Sequence, residues 1–456
     1  MSIYGEKKIP KEYLDGLYSI STSKNKISPE QYINYNVKRG LRNKDGTGVL
    51  AGLTSIGEVS GYIVVDSEKV DVDGKLIYRG IDLRDIVADV SASNRHGFEE
   101  VIFLLLFGVL PTESQVADFR KVLADLRFLP EGFTEDTILK NPSKNIMNKL
   151  ARSVLGLYTY DDNPDDTSVE NILRQSINII AKFPTIAAYA YQAKSRYFDG
   201  GSLYIHTPQP HYSTAENILH MIRPNNKFTE LEADILDLML ILHAEHGGGN
   251  NSTFTAHVVA SSGTDIYSAV AAAIGSLKGP KHGGANFKVI EMAQNIMDNI
   301  NDWGDDEEIA AYLEKIVRKE AFDKSGLIYG LGHAVYTISD PRAVLLREKA
   351  RELAIEKNTL DQFHVFEAID KYGPLAFKKV KGIDKQICAN VDLYSGFVYK
   401  MLNIPPELCT PLFAVSRVVG WTAHILEENV NGAKIIRPAY KSVSKKTEYT
   451  KLADRK

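Results

Sequence analysis

The sequence predicts a mainly α-helical protein with one short β-hairpin near its N-terminus. Strand signal is concentrated in residues 61–80, where apolar and polar residues alternate around Asp73-Gly74, a dipeptide that favours a hairpin turn. After this segment, apolar residues recur with helical periodicity. A chain of 456 residues is long enough for two domains or for one large helical domain with a sizeable core.

Capping patterns mark the starts of several helices. Thr112-x-x-Gln115 and Thr229-x-x-Glu232 both match the capping box, in which the two side chains satisfy backbone N–H groups at the helix start. Asp340-Pro341 places an N-cap and a first-turn proline ahead of another helix. Further helices are predicted over 98–108, over 262–278, from about residue 284 and over 411–426.

Bulk properties exclude several classes of protein. Hydrophobic residues make up 44% and charged residues 25%, which is typical of a globular protein, and the net charge of −4 predicts neither a nucleic-acid nor a membrane partner. The longest apolar run, 101–110, is about half of the ~20 residues that span a bilayer. Two cysteines, Cys388 and Cys409, are too few for a disulfide framework. The charged N-terminal segment has no apolar signal-peptide core, so we expect a cytoplasmic protein.

Three of the eleven histidines lie beside glycine clusters. They are His246 in HAEHGGGNNS, His282 in GPKHGGAN and His333 in GLGHAVYTISDPR. Glycines allow a ligand to approach the backbone closely and leave N–H groups free to donate. One such histidine alone is more often a turn or core residue, but three in the same setting favour a ligand site.

A metal site and a phosphate loop are both disfavoured. His243-x-x-His246 is one residue shorter than the His-Glu-x-x-His spacing of metalloproteases, and it has no nearby acidic partner to orient a ligand. The chain contains no G-x-x-x-x-G-K-[ST], and GLGHAV lacks the third glycine of the dinucleotide fingerprint. We therefore expect no metal.

Three arginines favour an anionic ligand. Arg417 lies in a helix that is apolar nearly all round, where a buried guanidinium without an anionic partner would cost about 3–5 kcal/mol. The alternative is an arginine whose charge reaches the surface. Arg342 follows Asp340-Pro341 in a first turn, where the helix dipole opposes a cation, and Arg437 in KIIRPAYKS carries a weaker signal. Together with the histidines, forked cations describe a pocket for a small di-acid.

Asp392, in ANVDLYSG, has two readings. Asn390 is a candidate N-cap, which would make Asp392 an ordinary acid in a first helical turn. Alternatively, Asp392 is a carboxylate base, partly desolvated between Val391 and Leu393. The residues alone leave both readings open.

These motifs, in this order and spacing, resemble the citrate synthase family over about residues 47–440. The resemblance implies a large helical domain, formed by residues 1–283 and 404–456, and a smaller helical domain over 284–403 that closes over the substrates. Turns at GGAN and NIPPE agree with those boundaries. The motifs that carry the resemblance are HAEHGGGN, GTDIYSAVAAAIGSLKGPKHGGAN, GLGHAVYTISDPRA, NVDLYSG and FAVSRVVGW, with KLIYRGIDLRDI, GFEEVIFLLLFGVLPT and AKFPTIAAYAY upstream.

The resemblance implies three catalytic residues. As a neutral imidazole, His282 would donate a hydrogen bond to the thioester carbonyl of acetyl-CoA, while Asp392 removes a methyl proton. His333 would hold and protonate the keto oxygen of oxaloacetate. A weak carbon acid needs such a preorganised donor, and a helix start just after His282 would disfavour the protonated ring.

Substrate binding is implied in the same way. His246, Arg342 and Arg417 would clamp oxaloacetate, and Arg437 would reach the site from the partner subunit of a homodimer. Acetyl-CoA would be a co-substrate, and no permanently bound cofactor is expected.

The loop Gly330, Leu331 and Gly332 would contact CoA through its backbone. Here the sequence departs from the family: Tyr329 precedes Gly330 where many members have proline, and Thr337 stands where many carry lysine or arginine. The phosphate contacts therefore stay open, with Lys278, Lys281 and Lys288 as candidates.

Two alternatives remain at this point. One is 2-methylcitrate synthase, which uses propionyl-CoA and differs in pocket shape. The other is a catalytically silent homologue that acts as a helical binding partner, against which stands the presence of every catalytic residue type.

Overall fold

The computed structural model describes residues 9–66, 68–382 and 386–455, and these fold mainly into α-helices, as predicted. Residues 1–8, which begin the charged N-terminal segment, lie outside the described residues. The chain divides into two compact units after Gly52. The first unit contains α1 (Lys11–Lys24) and α2 (Pro29–Asn34), neither of which has a buried residue.

The second unit begins with the predicted hairpin. Strand β1 (Gly57–Val65) pairs antiparallel with β2 (Glu68–Tyr78), and the short β3 (Ile81–Asp82) adds to the other edge of β2. The register shifts between Ser60 and Tyr62. Val65 pairs with Glu68, and Asp73 and Gly74 both lie inside β2, so the prediction of a turn at Asp73-Gly74 was wrong.

Gly74 instead allows close packing inside β2. A Cβ at this position would lie 2.1 Å from the carbonyl oxygen of Ser339 and 2.6 Å from Cδ1 of Tyr336. The Gly74 N–H donates to Ser339 Oγ at 3.2 Å, and that hydroxyl donates to Asp73 Oδ1 at 3.0 Å. The Asp-Gly pair therefore serves a contact with a segment more than 250 residues away, which local turn statistics do not reveal.

Helices make up the rest of the second unit. The capping boxes predicted at Thr112 and Thr229 are both formed, and Asp340 caps its helix as expected. The first nine of these helices are α3 (Leu83–Ala92), α4 (Phe98–Phe107), α5 (Glu113–Leu126), α6 (Ile146–Leu157), α7 (Val169–Phe198), α8 (Thr214–Ile222), α9 (Glu230–His243), α10 (Asn251–Ala260) and α11 (Ile266–Leu277). The last six are α12 (Ala285–Asn299), α13 (Asp306–Val317), α14 (Pro341–Glu356), α15 (Leu360–Lys381), α16 (Val391–Met401) and α17 (Pro406–Val430).

Helix α17 begins five residues earlier than the predicted 411–426. Pro406 occupies its first turn, where a missing N–H costs nothing, and Pro411 lies inside the helix. The hydroxyl of Thr410 donates to the carbonyl of Gly283 at 2.8 Å. This hydrogen bond connects the start of α17 to the turn that contains His282.

The core is arranged around α17, which packs against α4, α6, α7, α9, α10 and α11. Trp421 and Arg417 are its largest fully buried side chains. Among the later helices, α12 and α14 pack on α16, and α13 packs on α15. The domain boundaries at 284 and 403 stay a prediction. Within the described ranges, no helix has the length and apolar character needed to cross a bilayer.

Candidate active site

Arg417 lies at the centre of a buried polar cluster. Its side chain is fully buried, its Nε donates to the carbonyl of His243 at 2.6 Å, and its guanidinium lies 4.7 Å from the ring centroid of Phe413. Nη1 and Nη2 have no hydrogen-bond partner among the described residues. Burial lowers the pKa of Arg417 to about 10, which still leaves it charged at neutral pH. A buried cation with unsatisfied donors is suited to an anionic ligand.

His282 lies in the turn before α12 and is held by α10. Its Nε2 is 3.0 Å from Oγ of Ser252, and that oxygen also accepts a hydrogen bond from Nε1 of Trp421 at 3.1 Å. The pairing through Nε2 leaves Nδ1 for a substrate. When the Ser252 hydroxyl donates to Nε2, the proton of the neutral ring lies on Nδ1, which is then a donor.

The His282 ring is neutral at physiological pH. Burial and, to a smaller extent, the positive charge of Arg417 lower its pKa to about 4. The sequence predicted a neutral ring from the following helix alone, and the structure adds these two causes. A neutral donor is the form suited to a thioester carbonyl that acquires partial negative charge.

His333 lies in the loop before α14. The backbone N–H groups of Val335 and Tyr336 both donate to its Nδ1 at 3.1 Å, so Nδ1 is unprotonated and Nε2 carries the proton in the neutral ring. Its ring stacks on Tyr336 at 4.6 Å and lies 5.1 Å from the ring of His246. Burial, assisted by Arg342, holds the pKa of His246 well below its usual range. His246 is therefore placed as a neutral hydrogen-bonding group beside two cations, and the ring of His333 lies next to it.

Arg342 is buried at the start of α14 rather than exposed. Its Nε and Nη2 donate to the two carboxylate oxygens of Asp340 at 3.0 and 2.7 Å. Burial opposes the charge, but the Asp340 carboxylate raises the pKa of Arg342 above its usual value. Arg342 thus has an internal partner, whereas two nitrogens of Arg417 have none among the described residues.

Asp392 fits both readings of the sequence. Asn390 caps α16 by accepting a hydrogen bond from the Asp392 N–H at 3.0 Å, so the residue does lie in a first helical turn. Burial also raises the pKa of its carboxyl group to about 6, with Arg342 opposing this shift. The raised pKa makes Asp392 a stronger base than an exposed aspartate while leaving it mostly ionised at pH 7.

The glycine loop before His333 is joined to the segment that leads to Asp392. Gly330 and Gly332 both have φ of +86°, a conformation that favours glycine. The Gly332 N–H donates to the carbonyl of Cys388 at 2.8 Å, and the Asn390 N–H donates to the carbonyl of Gly330 at 2.9 Å. Leu331 forms a bridge with Ala389. The predicted contact of this loop with CoA stays a prediction.

Arg437 does not join this cluster within the chain. It is exposed in the extended segment after α17, next to Ile436, whose N–H donates to Ser261 Oγ at 3.1 Å. Its predicted role in a partner subunit stays a prediction. Among the residues described, no group of histidine, cysteine, aspartate or glutamate is arranged to hold a metal ion.

The structure adds four residues that the sequence did not assign to the site. His243 has two buried ring nitrogens without partners and lies 4.4 Å from the Phe413 ring; its i,i+3 spacing from His246 was the available signal. Asp340 was assigned only as a helix cap. Ser252 had no signal, because its role depends on packing against a residue distant in the chain. Tyr336 lies three residues after His333, and no pattern in the sequence marked it as a ring that stacks on that histidine.

Comparisons with known proteins identify the family of the chain. A family model described as "Citrate synthase, C-terminal domain" matches residues 47–439. The chain is 34% identical over 406 residues to a citrate synthase from Haloferax volcanii, covering 87% of this chain and 98% of that protein. It is also 32% identical over 392 residues to a 2-methylcitrate synthase from Shewanella oneidensis, covering 86% and 94%.

Solved structures show the same similarity. Citrate synthase from Pyrobaculum aerophilum superposes with a TM-score of 0.73 at 30% identity, covering 89% of this chain and 94% of that one. The ternary complex of carboxymethyl coenzyme A and oxaloacetate with citrate synthase from Thermoplasma acidophilum gives a TM-score of 0.74 at 25% identity, covering 92% and 99%.

Proposed function

The chain belongs to the citrate synthase family, and from that premise we propose that its buried cluster condenses acetyl-CoA with oxaloacetate and water to give citrate and CoA. The main observation behind the proposal is that Arg417 is a fully buried cation. Two of its nitrogens have no hydrogen-bond partner in the described part of the chain. It lies close enough to His246, His282 and Asp392 for its charge to affect their pKa values. A di-acid held at Arg417 would therefore lie near these three groups, and the ring of His246 lies 5.1 Å from that of His333.

The first step is proton removal from the methyl group of acetyl-CoA. Asp392 takes the proton as the C–H bond breaks, and the electron pair moves towards the thioester oxygen. His282 donates a hydrogen bond from Nδ1 to that oxygen, which stabilises the enol or enolate. Ser252 supports this role by fixing Nε2 at 3.0 Å.

The second step forms the carbon–carbon bond. The enolic carbon attacks the keto carbon of oxaloacetate, whose carboxylates are bound by Arg342, Arg417 and His246. The keto oxygen takes a proton from Nε2 of His333, the nitrogen that carries the proton because Nδ1 accepts two backbone hydrogen bonds. Water then cleaves the thioester C–S bond of citryl-CoA and releases citrate and CoA thiol.

The proposal extends to assembly and compartment. The enzyme acts as a cytoplasmic homodimer in which Arg437 of each chain completes the site of the other. Residues 284–403 form a smaller domain that closes on the larger one, with the Gly330–Gly332 loop on CoA. The exposed position of Arg437 and the two free buried cysteines support this picture.

Arg417→Lys tests the central assignment. We expect the variant to fold but to bind oxaloacetate at least about tenfold more weakly, because an ammonium group cannot reproduce the guanidinium fork. Calorimetric titration measures the affinity, and circular dichroism checks the fold. Unchanged affinity would return Arg417 to a structural role.

The choice of acyl-CoA is a second question, raised by the similarity to the Shewanella oneidensis 2-methylcitrate synthase. Release of free thiol from acetyl-CoA and from propionyl-CoA, each with and without oxaloacetate, decides it. We expect oxaloacetate-dependent release with a higher kcat/KM for acetyl-CoA. A preference for propionyl-CoA would identify the alternative enzyme, and no release from either would support a silent homologue.

A further inference from the structure

Asp340 makes more contacts than its helix-capping role requires. Its Oδ1 accepts hydrogen bonds from the backbone N–H and from Nε of Arg342, both at 3.0 Å. Its Oδ2 accepts from Nη2 of Arg342 at 2.7 Å and from the N–H of Val391 at 3.3 Å. The side chain is fully buried. One carboxylate thus joins the start of α14, the guanidinium of Arg342 and the start of α16, one residue before Asp392.

A second buried aspartate, Asp265, caps a helix and serves as a comparison for Asp340; within the described residues its carboxylate is hydrogen-bonded to neither a cation nor another helix. Asp265 begins α11, and its Oδ1 accepts from the Ser268 N–H at 2.8 Å. Its other oxygen accepts hydrogen bonds from two nearby hydroxyl groups, those of Ser268 and Thr264. Asp340 differs because its second oxygen reaches a cation and a backbone group on another helix.

The hydrogen bonds between Arg342 and Asp340 determine which N–H groups of Arg342 remain available for a substrate. A guanidinium has five N–H donors, and Asp340 engages one on Nε and one on Nη2. The donors that remain are on Nη1 and the far side of Nη2, so a substrate carboxylate meets one defined edge. A buried, bidentate partner also holds the side chain in a single geometry before substrate arrives.

Asp340 also changes the electrostatic environment of Asp392. Burial is the main cause that raises the Asp392 pKa, the charges of Arg342 and Arg417 lower it, and the Asp340 charge raises it. Two neutral groups, the Tyr399 phenol and the Cys409 thiol, are also close enough to interact with this carboxylate. Asp340 therefore offsets one of the two cations that would otherwise weaken the base.

We propose that Asp340 is a positioning residue that orients Arg342 for the substrate carboxylate and preserves the basicity of Asp392 by compensating the Arg342 charge. The proposal rests on the proposed function, because it takes Asp392 as the base. It adds a residue that acts through two others and touches neither substrate.

The test is the pH profile of kcat/KM for acetyl-CoA at saturating oxaloacetate, compared between the wild type and Asp340→Asn. Asparagine keeps the helix cap but removes the charge. Because loss of a nearby negative charge lowers the pKa of a carboxyl group, we expect the acid limb to move about 1 pH unit lower. We also expect the plateau to fall roughly three- to tenfold, because Asp392 becomes a weaker base.

The matched control is Asp265→Asn, which makes the same change at the buried cap of α11. We expect its acid limb to coincide with that of the wild type. A second readout is the kinetic isotope effect with trideuterated acetyl-CoA. It should increase in Asp340→Asn, since a weaker base makes proton removal more rate-limiting, and it should be unchanged in the control.

An acid limb that does not move in Asp340→Asn, with a uniform loss of rate at every pH, would overturn the proposal and leave Asp340 as a structural cap. If Asp340→Asn does not fold by circular dichroism, Asp340→Ser keeps a capping oxygen without the charge and should show the same shift. If neither neutral variant folds, Asp340 serves the fold and the proposal is also overturned. Absence of oxaloacetate-dependent thiol release in the wild type would instead contradict the proposed function itself.

Discussion

At the scale of single residues, the site combines groups whose charge or neutrality is fixed by burial. His282 is neutral because it is buried near Arg417, with a pKa of about 4, while Asp392 has a pKa of about 6. At pH 7 the donor is thus uncharged and the base is ionised. The pair has the protonation states that enolisation needs without any further proton transfer.

Replacement of His282 by alanine tests the donor. We expect turnover to fall by a factor of roughly 10²–10⁴, because the enolate loses its preorganised hydrogen bond. The affinity for oxaloacetate should change little, since His282 acts on the thioester. Steady-state kinetics and titration with oxaloacetate measure the two quantities, and near wild-type turnover would contradict the assignment.

Asp392→Asn should abolish turnover and yet stabilise the protein at neutral pH. Burial raises the pKa of this carboxyl group from 3.8 to about 6, so the folded state disfavours its charged form. At about pH 4 the group is protonated in the folded state and roughly half protonated in the unfolded state, so the penalty is small, and it vanishes at lower pH. The penalty develops as pH rises from about 4 to 6 and is constant above, so we expect a gain of about 2–3 kcal/mol at pH 7.

Denaturant unfolding at about pH 4 and at pH 7 checks this prediction. The stability difference between Asp392→Asn and the wild type should be largest at pH 7 and only a small fraction of that value at about pH 4. An equal difference at both values would mean that the substitution acts through packing rather than through charge.

The residue scale also shows what the sequence could reveal. His282, His333 and Arg417 were recognisable because glycine clusters and an apolar helix are unusual settings for them. Ser252 was not, since an ordinary serine becomes the partner of His282 only when α10 packs beside the turn at residue 282. A close partner that is far away in the chain leaves no local signal.

At the scale of elements, the helices were largely predictable and the hairpin register was not. Capping boxes are local patterns, and those at Thr112 and Thr229 formed where they were predicted. The Asp73-Gly74 pair was misread because its glycine serves close packing rather than a turn. The hairpin lies against the loop that carries His333, as the bond from Tyr336 Oη to the carbonyl of Lys75 shows.

Gly74→Ala tests this contact. The added Cβ would lie 2.1 Å from the Ser339 carbonyl, so the loop or the strand must move. We expect a loss of about 1–3 kcal/mol of stability from overpacking. We also expect a fall in kcat of up to about 100-fold, because the displaced loop shifts His333.

Thermal unfolding and steady-state kinetics measure both effects. Gly16→Ala is the matched control, because a Cβ at Gly16 in α1 meets nothing within 4 Å. It should leave kcat unchanged. A Gly74→Ala variant with normal stability and turnover would show that the hairpin does not support the catalytic loop.

At the scale of the whole molecule, the site brings together residues from distant parts of the chain. Two of them, Arg342 and Arg417, carry the same positive charge. Arg342 and Arg417 are both buried; burial is the main cause that lowers the pKa of Arg417, Glu245 opposes it, and the charge of Arg342 lowers the pKa as well. Asp340 and Glu245 offset part of the repulsion between the two cations, and the remainder disfavours the assembled site when no substrate anion is bound. A ligand with two carboxylates removes that repulsion and favours the arrangement in which both arginines face it.

This repulsion predicts the order of substrate binding. In the proposed domain arrangement, Arg417 and His246 belong to the large domain, whereas Arg342, His333 and Asp392 belong to the small one. Oxaloacetate would therefore bind across the cleft, and a ligand that binds the closed state better must shift the population towards it. In this arrangement closure would bring Asp392 and His333 up to His282, so the acetyl-CoA site would be complete only after the di-acid is bound.

We expect oxaloacetate alone to compact the protein and to tighten acetyl-CoA binding. Linkage requires acetyl-CoA to tighten oxaloacetate binding by the same factor. Small-angle scattering measures the compaction, and titrations in both orders, with an inert di-acid analogue to prevent turnover, measure the two affinities. Arg342→Gln should weaken this coupling, because it removes the repulsion that the di-acid relieves and one of the two groups that bind it. Equal acetyl-CoA affinity with and without the di-acid would mean that oxaloacetate binding does not assemble the acetyl-CoA site, and the clamp across the domains would be wrong.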